Sequence, residues 1–125
     1  VNPRWQMERI LTECWPVDER TRRALGIEPG WLGRFPGELS GGELQRFCIA
    51  RALHPRLRHL VADEMTTMLD PITQALIWSR LVGLIRERGI GLLVITHNPA
   101  LAGRLCDDII RLERINHLDP DESRP

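Results

Sequence analysis

The chain has 125 residues, which is enough for one domain with a hydrophobic core. Hydrophobic residues make up 42% and charged residues 27%, and 17 basic side chains balance 17 acidic ones. A net charge of zero without single-sign tracts excludes a surface built mainly to bind nucleic acid or an anionic membrane. No apolar run reaches the roughly 20 residues of a membrane span, and no signal-peptide pattern is present. We therefore expect a cytoplasmic protein that reaches a membrane only through a partner.

The first 38 residues differ from the rest of the chain. They hold three of the four tryptophans, many charges and several helix-breaking residues. We predict two short helices, Trp5–Cys14 and Asp18–Leu25, followed by an irregular loop. The segment is expected to be part of a subdomain whose remainder lies elsewhere.

A regular pattern begins at Ser40. Ser40 and Glu43 have the spacing of a capping box, so a helix should begin there and end before Pro55. Gly41 and Gly42 would let a phosphate approach the unpaired N–H groups and the positive dipole end of this helix. Taken alone, an ordinary helix cap is the commoner explanation of each feature.

Two apolar runs follow, with a helix between them. Leu57–Ala62 predicts a short buried strand. Asp70 then caps a helix with Pro71 in its first turn, and this helix should end at Gly89. Ile90–Thr96 is almost entirely apolar, as expected of a strand that is covered on both faces.

The same cap-and-proline pair recurs at Asn98 and Pro99, and predicts a helix that runs to Cys106. Asp108–Leu112 is a candidate for a last short strand. This alternation of strands and helices predicts an α/β fold with a parallel sheet and right-handed crossovers.

Acidic and imidazole side chains follow the two predicted strands. Asp63 and Glu64 follow the first strand, and His97 follows the second. Ligands of an open parallel sheet bind at the carboxyl ends of the strands, so these side chains are expected to face one crevice. Asp63 suits Mg²⁺, which prefers oxygen ligands and is commonly shared with substrate phosphates. Glu64 would orient or deprotonate an attacking water, and His97 would donate to a terminal phosphate oxygen.

Together these side chains predict in-line hydrolysis of a nucleotide, in which positioning and charge stabilisation do most of the catalysis. An acidic pair or a lone histidine is by itself more often structural. The order of the motifs along the chain is what favours the functional interpretation.

In this order the residues resemble the C-terminal part of an ATP-binding cassette (ABC) ATPase. Leu39–Glu43 resembles the LSGGQ signature, with glutamate in place of glutamine. Leu60–Glu64 resembles the Walker B strand, Thr67–Asp70 the D-loop, and Ile95–His97 the switch-histidine loop. The resemblance covers roughly residues 34 to 112 and implies a partial P-loop NTPase fold with part of the helical subdomain.

A finer similarity points to the ATPase subunits of oligopeptide, dipeptide and nickel importers. It lies in Arg34–Glu38 and in Thr66–Ala75, whereas Met65 stands where the family usually has proline. The resemblance implies an ATPase component that powers membrane transport, peptide or nickel import in particular. It also implies ATP and Mg²⁺ as cofactors and a cytoplasmic location, peripheral on the inner face of the cell membrane.

The resemblance implies partners as well: a second cassette, identical or paralogous, and transmembrane permease subunits, with no nucleic acid. The residues implied to bind the nucleotide of the partner cassette are Ser40, Gly41, Gly42 and Glu43. On the chain's own nucleotide, Asp63 would hold Mg²⁺ through water, while Glu64 and His97 would be catalytic. Asp70 would link the two sites across the dimer.

The Walker A sequence GxxxxGK[ST] does not occur in the chain, nor does an obvious Q-loop glutamine ahead of Ser40. We therefore expect a half cassette. Residues 1–38 would be a remnant of the helical subdomain, 39–112 the C-terminal α/β part of the ATPase core, and 113–125 a polar tail. The complete protein would be an ATPase, and the isolated chain would be inactive.

Two alternatives remain. One is a non-transport ABC ATPase of chromosome maintenance or DNA repair, a class that usually carries coiled coils, zinc-binding cysteines or basic surfaces, which this sequence lacks. The other is a truncated remnant that only binds a complete cassette. The intact Asp63, Glu64 and His97 argue against long-standing decay. The transported substrate, the direction of transport and the choice between homodimer and heterodimer stay open.

Overall fold

The computed structural model describes residues 2–112. Its helices are α1 (Met7–Thr12), α2 (Glu19–Leu25), α3 (Gly41–Ala52), α4 (Pro71–Arg88) and α5 (Pro99–Leu105). Its strands are β1 (His59–Asp63) and β2 (Gly91–Ile95), and two single 3₁₀ turns, Pro29–Trp31 and Pro36–Glu38, precede α3. The described residues fall into two compact units, one that ends at Ile95 and one that begins at Thr96.

Four of the five helix starts are confirmed, because each of these helices follows a residue whose side chain accepts hydrogen bonds from the first backbone N–H groups. These N-cap residues are Asp18, Ser40, Asp70 and Asn98. The first helix begins at Met7 and not at Trp5. The expected proline follows the cap in α4 and in α5. Local capping chemistry therefore sets most of the element boundaries in this chain.

The core of the first unit lies among α1 to α4. Met7, Leu25, Phe47 and Leu81 come from the four helices in turn, and each is at most 1% exposed. The predicted N-terminal helices thus form and pack against α3 and α4. The boundaries at residues 38 and 112 stay predictions, and the predicted tail, 113–125, lies outside the described residues.

The two strands are parallel, as predicted, and Asp63 pairs with Ile95 at their carboxyl ends. The prediction that both faces are covered is wrong for the described chain. Ala62 is buried on one face, whereas Val61, Leu93 and Ile95 on the other face are 59%, 57% and 46% exposed. An apolar run favours a strand that is buried in the folded protein. It does not show which part of the protein covers each face of that strand.

The predicted last strand at Asp108–Leu112 is also wrong. These residues pair with no strand and are exposed. The five-residue run has only Ile109, Ile110 and Leu112 as apolar residues and lacks strict alternation, so local pattern alone was weak evidence for a strand there.

Two glycines end helices in the left-handed region, and they offer a matched pair of variants. Gly26 after α2 has φ +68°, and Gly89 after α4 has φ +63°. A Cβ at Gly26 would overlap the Arg80 guanidinium and would lie 2.8 Å from Arg46 Nη1, whereas a Cβ at Gly89 would meet nothing. We expect G26A and G89A each to lower the free energy of unfolding by about 1–2 kcal/mol, because a left-handed conformation is strained for any L side chain.

Urea unfolding of the two variants measures this. The two losses should agree closely, because the blocking atoms at Gly26 are the ends of two flexible side chains, Arg80 and Arg46, that can swing away. A clearly larger loss in G26A would contradict this and show that at least one of these arginines is fixed in place.

Candidate functional site

The start of α3 is a complete capping box. Glu43 N–H donates to Ser40 Oγ at 3.3 Å, and Ser40 N–H donates to Glu43 Oε2 at 2.7 Å. The bond from the Ser40 backbone to the carboxylate lowers the pKa of Glu43. Glu43 is therefore an ionised part of the cap, and it stabilises the turn Ser40–Gly42, called the SGG turn below.

The two glycines of the SGG turn have different surroundings. Ser40 and Gly41 are exposed, whereas Gly42 is buried. A Cβ at Gly41 would lie 3.6 Å from Leu69 Cδ2, an ordinary contact, but a Cβ at Gly42 would lie 2.6 Å from Thr73 Cγ2. Gly42 is thus required by the packing of α3 on α4, and Gly41 leaves the turn open to solvent.

Asp70 lies at the start of α4, next to the same contacts. Its Oδ1 accepts from the N–H groups of Ile72 at 3.1 Å and Thr73 at 3.0 Å. The Thr73 hydroxyl and then the Thr73 N–H lower the pKa of Asp70, so this carboxylate also stays ionised. Because Leu69 and Thr73 lie within 3.6 Å of where a Cβ on Gly41 or Gly42 would be, the structure brings Asp70 close to the SGG turn.

The acidic pair lies at the end of β1. Asp63 is the last residue of the strand and is exposed, and Glu64 is half-buried. Glu64 has φ +44°, the left-handed region that glutamate rarely adopts, and its N–H donates to the Ile95 carbonyl at 3.0 Å. Thr67 Oγ1 lies 3.2 Å from Glu64 Oε2. A strained backbone that its surroundings hold in place is common at functional sites, and here it fixes the direction of Glu64.

The segment that joins Glu64 to Asp70, called the β1–α4 turn below, is anchored by residues that the sequence interpretation missed. Thr66 is only 2% exposed, and its Oγ1 accepts from Trp78 Nε1 at 2.9 Å and from Gln74 Nε2 at 2.7 Å. Gln74 and Trp78 are four residues apart in α4 and so lie on one face. This spacing was the signal in the sequence for the anchor, since the amide of Gln74 and the indole N–H of Trp78 on one helix face suggest a shared buried acceptor.

His97 follows the end of β2 by two residues and belongs to the second unit. The next residue, Asn98, caps α5, and its N–H donates to Thr96 Oγ1 at 3.1 Å. The convergence of His97 with Asp63 and Glu64 stays a prediction.

Asp63 is the residue that would hold a Mg²⁺ ion. In residues 2–112 no group of three or more histidine, cysteine or acidic side chains is placed to hold a metal ion. One exposed carboxylate at a strand end nevertheless suits Mg²⁺, which keeps several waters and needs only one or two carboxylates beside phosphate oxygens. None of the described helices has the length and apolar character that crossing a bilayer requires.

Solved structures identify the class of fold. The dimeric structure of MJ0796, a bacterial ABC transporter cassette, matches with a TM-score of 0.62 and 27% identity. The match covers 82% of this chain and 50% of the MJ0796 chain. The fold is therefore a partial ABC ATPase fold, as predicted.

Sequence relatives agree with this class. The nickel import ATP-binding protein NikD of Rhodospirillum rubrum is 49% identical over 87 residues, which are 68% of this chain and 33% of NikD. NikE of the same organism is 37% identical over 125 aligned residues, which are 90% of this chain and 45% of NikE. The chain thus resembles part of an ABC transporter ATP-binding subunit and spans less than half the length of these relatives. No protein-family model matches it.

Proposed function

We propose that this chain is the part of an ABC transporter ATPase that carries the signature, Walker B, D-loop and switch-histidine motifs, and that it binds MgATP together with a second cassette. The observation that supports this best is the exposed SGG turn beside Asp70, in a chain with a partial ABC ATPase fold. The SGG turn is the element that the proposal assigns to the partner's nucleotide, and Asp70 is the residue that would link the two sites across the dimer.

Nucleotide held by the partner cassette would meet the start of α3. The first N–H groups of a helix have no partner within the helix, and they carry the positive end of its dipole. Ser40 and the backbone of Gly41 are exposed there, so phosphate oxygens would reach them without moving a side chain. Gly42 and Glu43 would hold the turn in shape, by packing and by capping.

On the chain's own side, Asp63 would hold Mg²⁺ through water, and the bound ion would neutralise charge on the phosphates. Glu64 would orient and deprotonate the attacking water, and its backbone is fixed by the hydrogen bond to Ile95. His97 would donate to a terminal phosphate oxygen. The Walker A loop that this half-site needs is absent from the sequence, so we expect the isolated chain to be inactive.

Transport of nickel or of peptides is the substrate class that we propose. The names NikE and D,D-dipeptide transport ATP-binding protein DdpF belong to relatives that align over 90% and 87% of this chain. Relatives named for methionine import align over 64% of it, and relatives named for lipoprotein release over 62–70%. The extended alignments include more of the chain outside the ATPase motifs. In the complete protein we expect transmembrane permease partners and a cytoplasmic position at the inner face of the membrane.

The test is association of the full 125-residue chain with a complete cassette chosen for an intact GxxxxGK[ST] loop. With Mg²⁺ and a non-hydrolysable ATP analogue, sedimentation should show a complex that is absent without nucleotide. We expect S40R to weaken it by about tenfold or more, because the arginine side chain fills the space of the phosphate at the centre of the interface.

The matched control is G83R, which adds the same side chain on α4 at an exposed position about 20 Å from Asp70. It should leave association unchanged. Nucleotide-independent behaviour of the unmodified chain, or equal effects of the two arginines, would count against the proposal.

A further inference from the structure

The β1–α4 turn is attached to α4 through a single buried residue. Thr66 is 2% exposed, and the indole N–H of Trp78 and the amide of Gln74 both donate to its hydroxyl oxygen. Gln74 Nε2 also lies 3.3 Å from the Thr66 carbonyl oxygen. Trp78 is itself 2% exposed, so its bond to Thr66 is shielded from water, whereas Gln74 is half-buried.

This cluster of Thr66, Gln74 and Trp78 opposes movement of the β1–α4 turn along α4. A hydroxyl oxygen has two acceptor positions, and here both are used. If the turn moved along α4, the buried indole N–H would lose its acceptor without gaining water, which is more costly than losing an exposed hydrogen bond. The turn therefore has one favoured position on the helix.

The position of Thr66 in turn sets both ends of the turn. Towards the C-terminus, the Leu69 N–H donates to the Thr66 carbonyl at 3.1 Å, and Leu69 contacts the SGG turn and precedes Asp70. Towards the N-terminus, Glu64 is two residues away, and its carbonyl accepts from the Thr67 N–H at 3.3 Å. Glu64 thus lies on one side of the anchored residue and Asp70 on the other.

We propose that Gln74 and Trp78 are positioning residues: through Thr66 they fix the β1–α4 turn, so that Glu64 and the surface formed by Asp70 and the SGG turn keep one relative geometry. This inference rests on the proposed function, because it assigns Glu64 to the chain's own nucleotide, the SGG turn to the partner's nucleotide, and Asp70 to the link between the two sites. A cluster that served only stability would not affect nucleotide-dependent association beyond its effect on folding.

The experiment uses the full chain with the same complete cassette, Mg²⁺ and non-hydrolysable ATP analogue. T66V removes the acceptor while keeping the side-chain shape, W78F removes the indole donor, and T66S keeps the hydroxyl. We expect T66V and W78F to speed amide exchange at Leu69 and to weaken association, each by about tenfold or more. T66S should show the same amide exchange at Leu69 and the same association as the unmodified chain.

I77V is the matched control. Ile77 is buried beside Trp78 in α4 but makes no side-chain hydrogen bond, so I77V should lower thermal stability without affecting association. If T66V and W78F associate as tightly as the unmodified chain, or if I77V weakens association equally, the positioning role is overturned and the proposed function stands. If the unmodified chain shows no nucleotide-dependent association, the proposed function fails and this inference fails with it.

Discussion

Glu64→Gln is expected to lower the rate of MgATP hydrolysis by about 10²–10⁴-fold, the usual contribution of a general base. The assay pairs this chain with the N-terminal half of a related cassette, which supplies the GxxxxGK[ST] loop. Glutamine keeps the size of the side chain and a hydrogen-bonding oxygen near Thr67 Oγ1, so the geometry of the β1–α4 turn should persist. What is lost is the capacity to accept a proton from the attacking water.

Association and turnover should therefore separate in this variant. Nucleotide-dependent assembly should survive in E64Q while phosphate release is lost, and E87Q, an exposed glutamate near the end of α4, serves as the control with full turnover. The chain alone should release almost no phosphate. Robust turnover by the chain alone that disappears in E64Q would refute the expectation that it is inactive without a Walker A loop.

Capping chemistry explains why so much of the fold could be predicted. Asp70 with Pro71, and Ser40 with Glu43, specify helix starts through bonds within three residues, and the structure contains those bonds. The shared edge of Asp63 and the end of β2 also followed from local evidence, since two apolar runs around a helix indicate parallel strands. Short-range physics was sufficient for these features.

Long-range packing explains what could not be predicted. Thr66 is a small polar residue in a turn, and only the fold shows that Trp78, twelve positions later, buries it. Gly42 looked equivalent to Gly41, and the distinction depends on Thr73, which is 31 positions away. The exposure of Val61 depends on which elements pack against that face of the sheet, and the strand's own sequence does not specify them. For the Thr66 cluster the only signal in the sequence is the four-residue spacing of Gln74 and Trp78, and the other two features leave no periodic signal.

The different surroundings of Gly41 and Gly42 lead to the second large expected effect, a loss of folding stability. Gly42→Ala should lower the free energy of unfolding by about 1–3 kcal/mol, because the added Cβ lies 2.6 Å from Thr73 Cγ2 and the packed helices must shift. Gly41→Ala should be neutral or slightly stabilising, because its Cβ makes an ordinary contact and alanine favours the helix. Urea unfolding of the two variants measures the difference.

Thr73→Ser provides the decisive control. Serine lacks Cγ2 but keeps the hydroxyl that faces Asp70, so the double variant G42A/T73S should recover most of the stability lost in G42A. Additive losses in the double variant would show that the clash is not the cause.

Nucleotide-dependent association distinguishes a packing role from a phosphate-binding role at Gly41 and Gly42. G41A should weaken nucleotide-dependent association while the fold stays stable, because its methyl group covers the exposed N–H groups that the phosphate would reach. G42A should weaken association through the shifted start of α4, and T73S should restore it together with stability. If G41A binds normally while G42A does not, the SGG turn acts only as a packing element and the proposed phosphate contact is wrong.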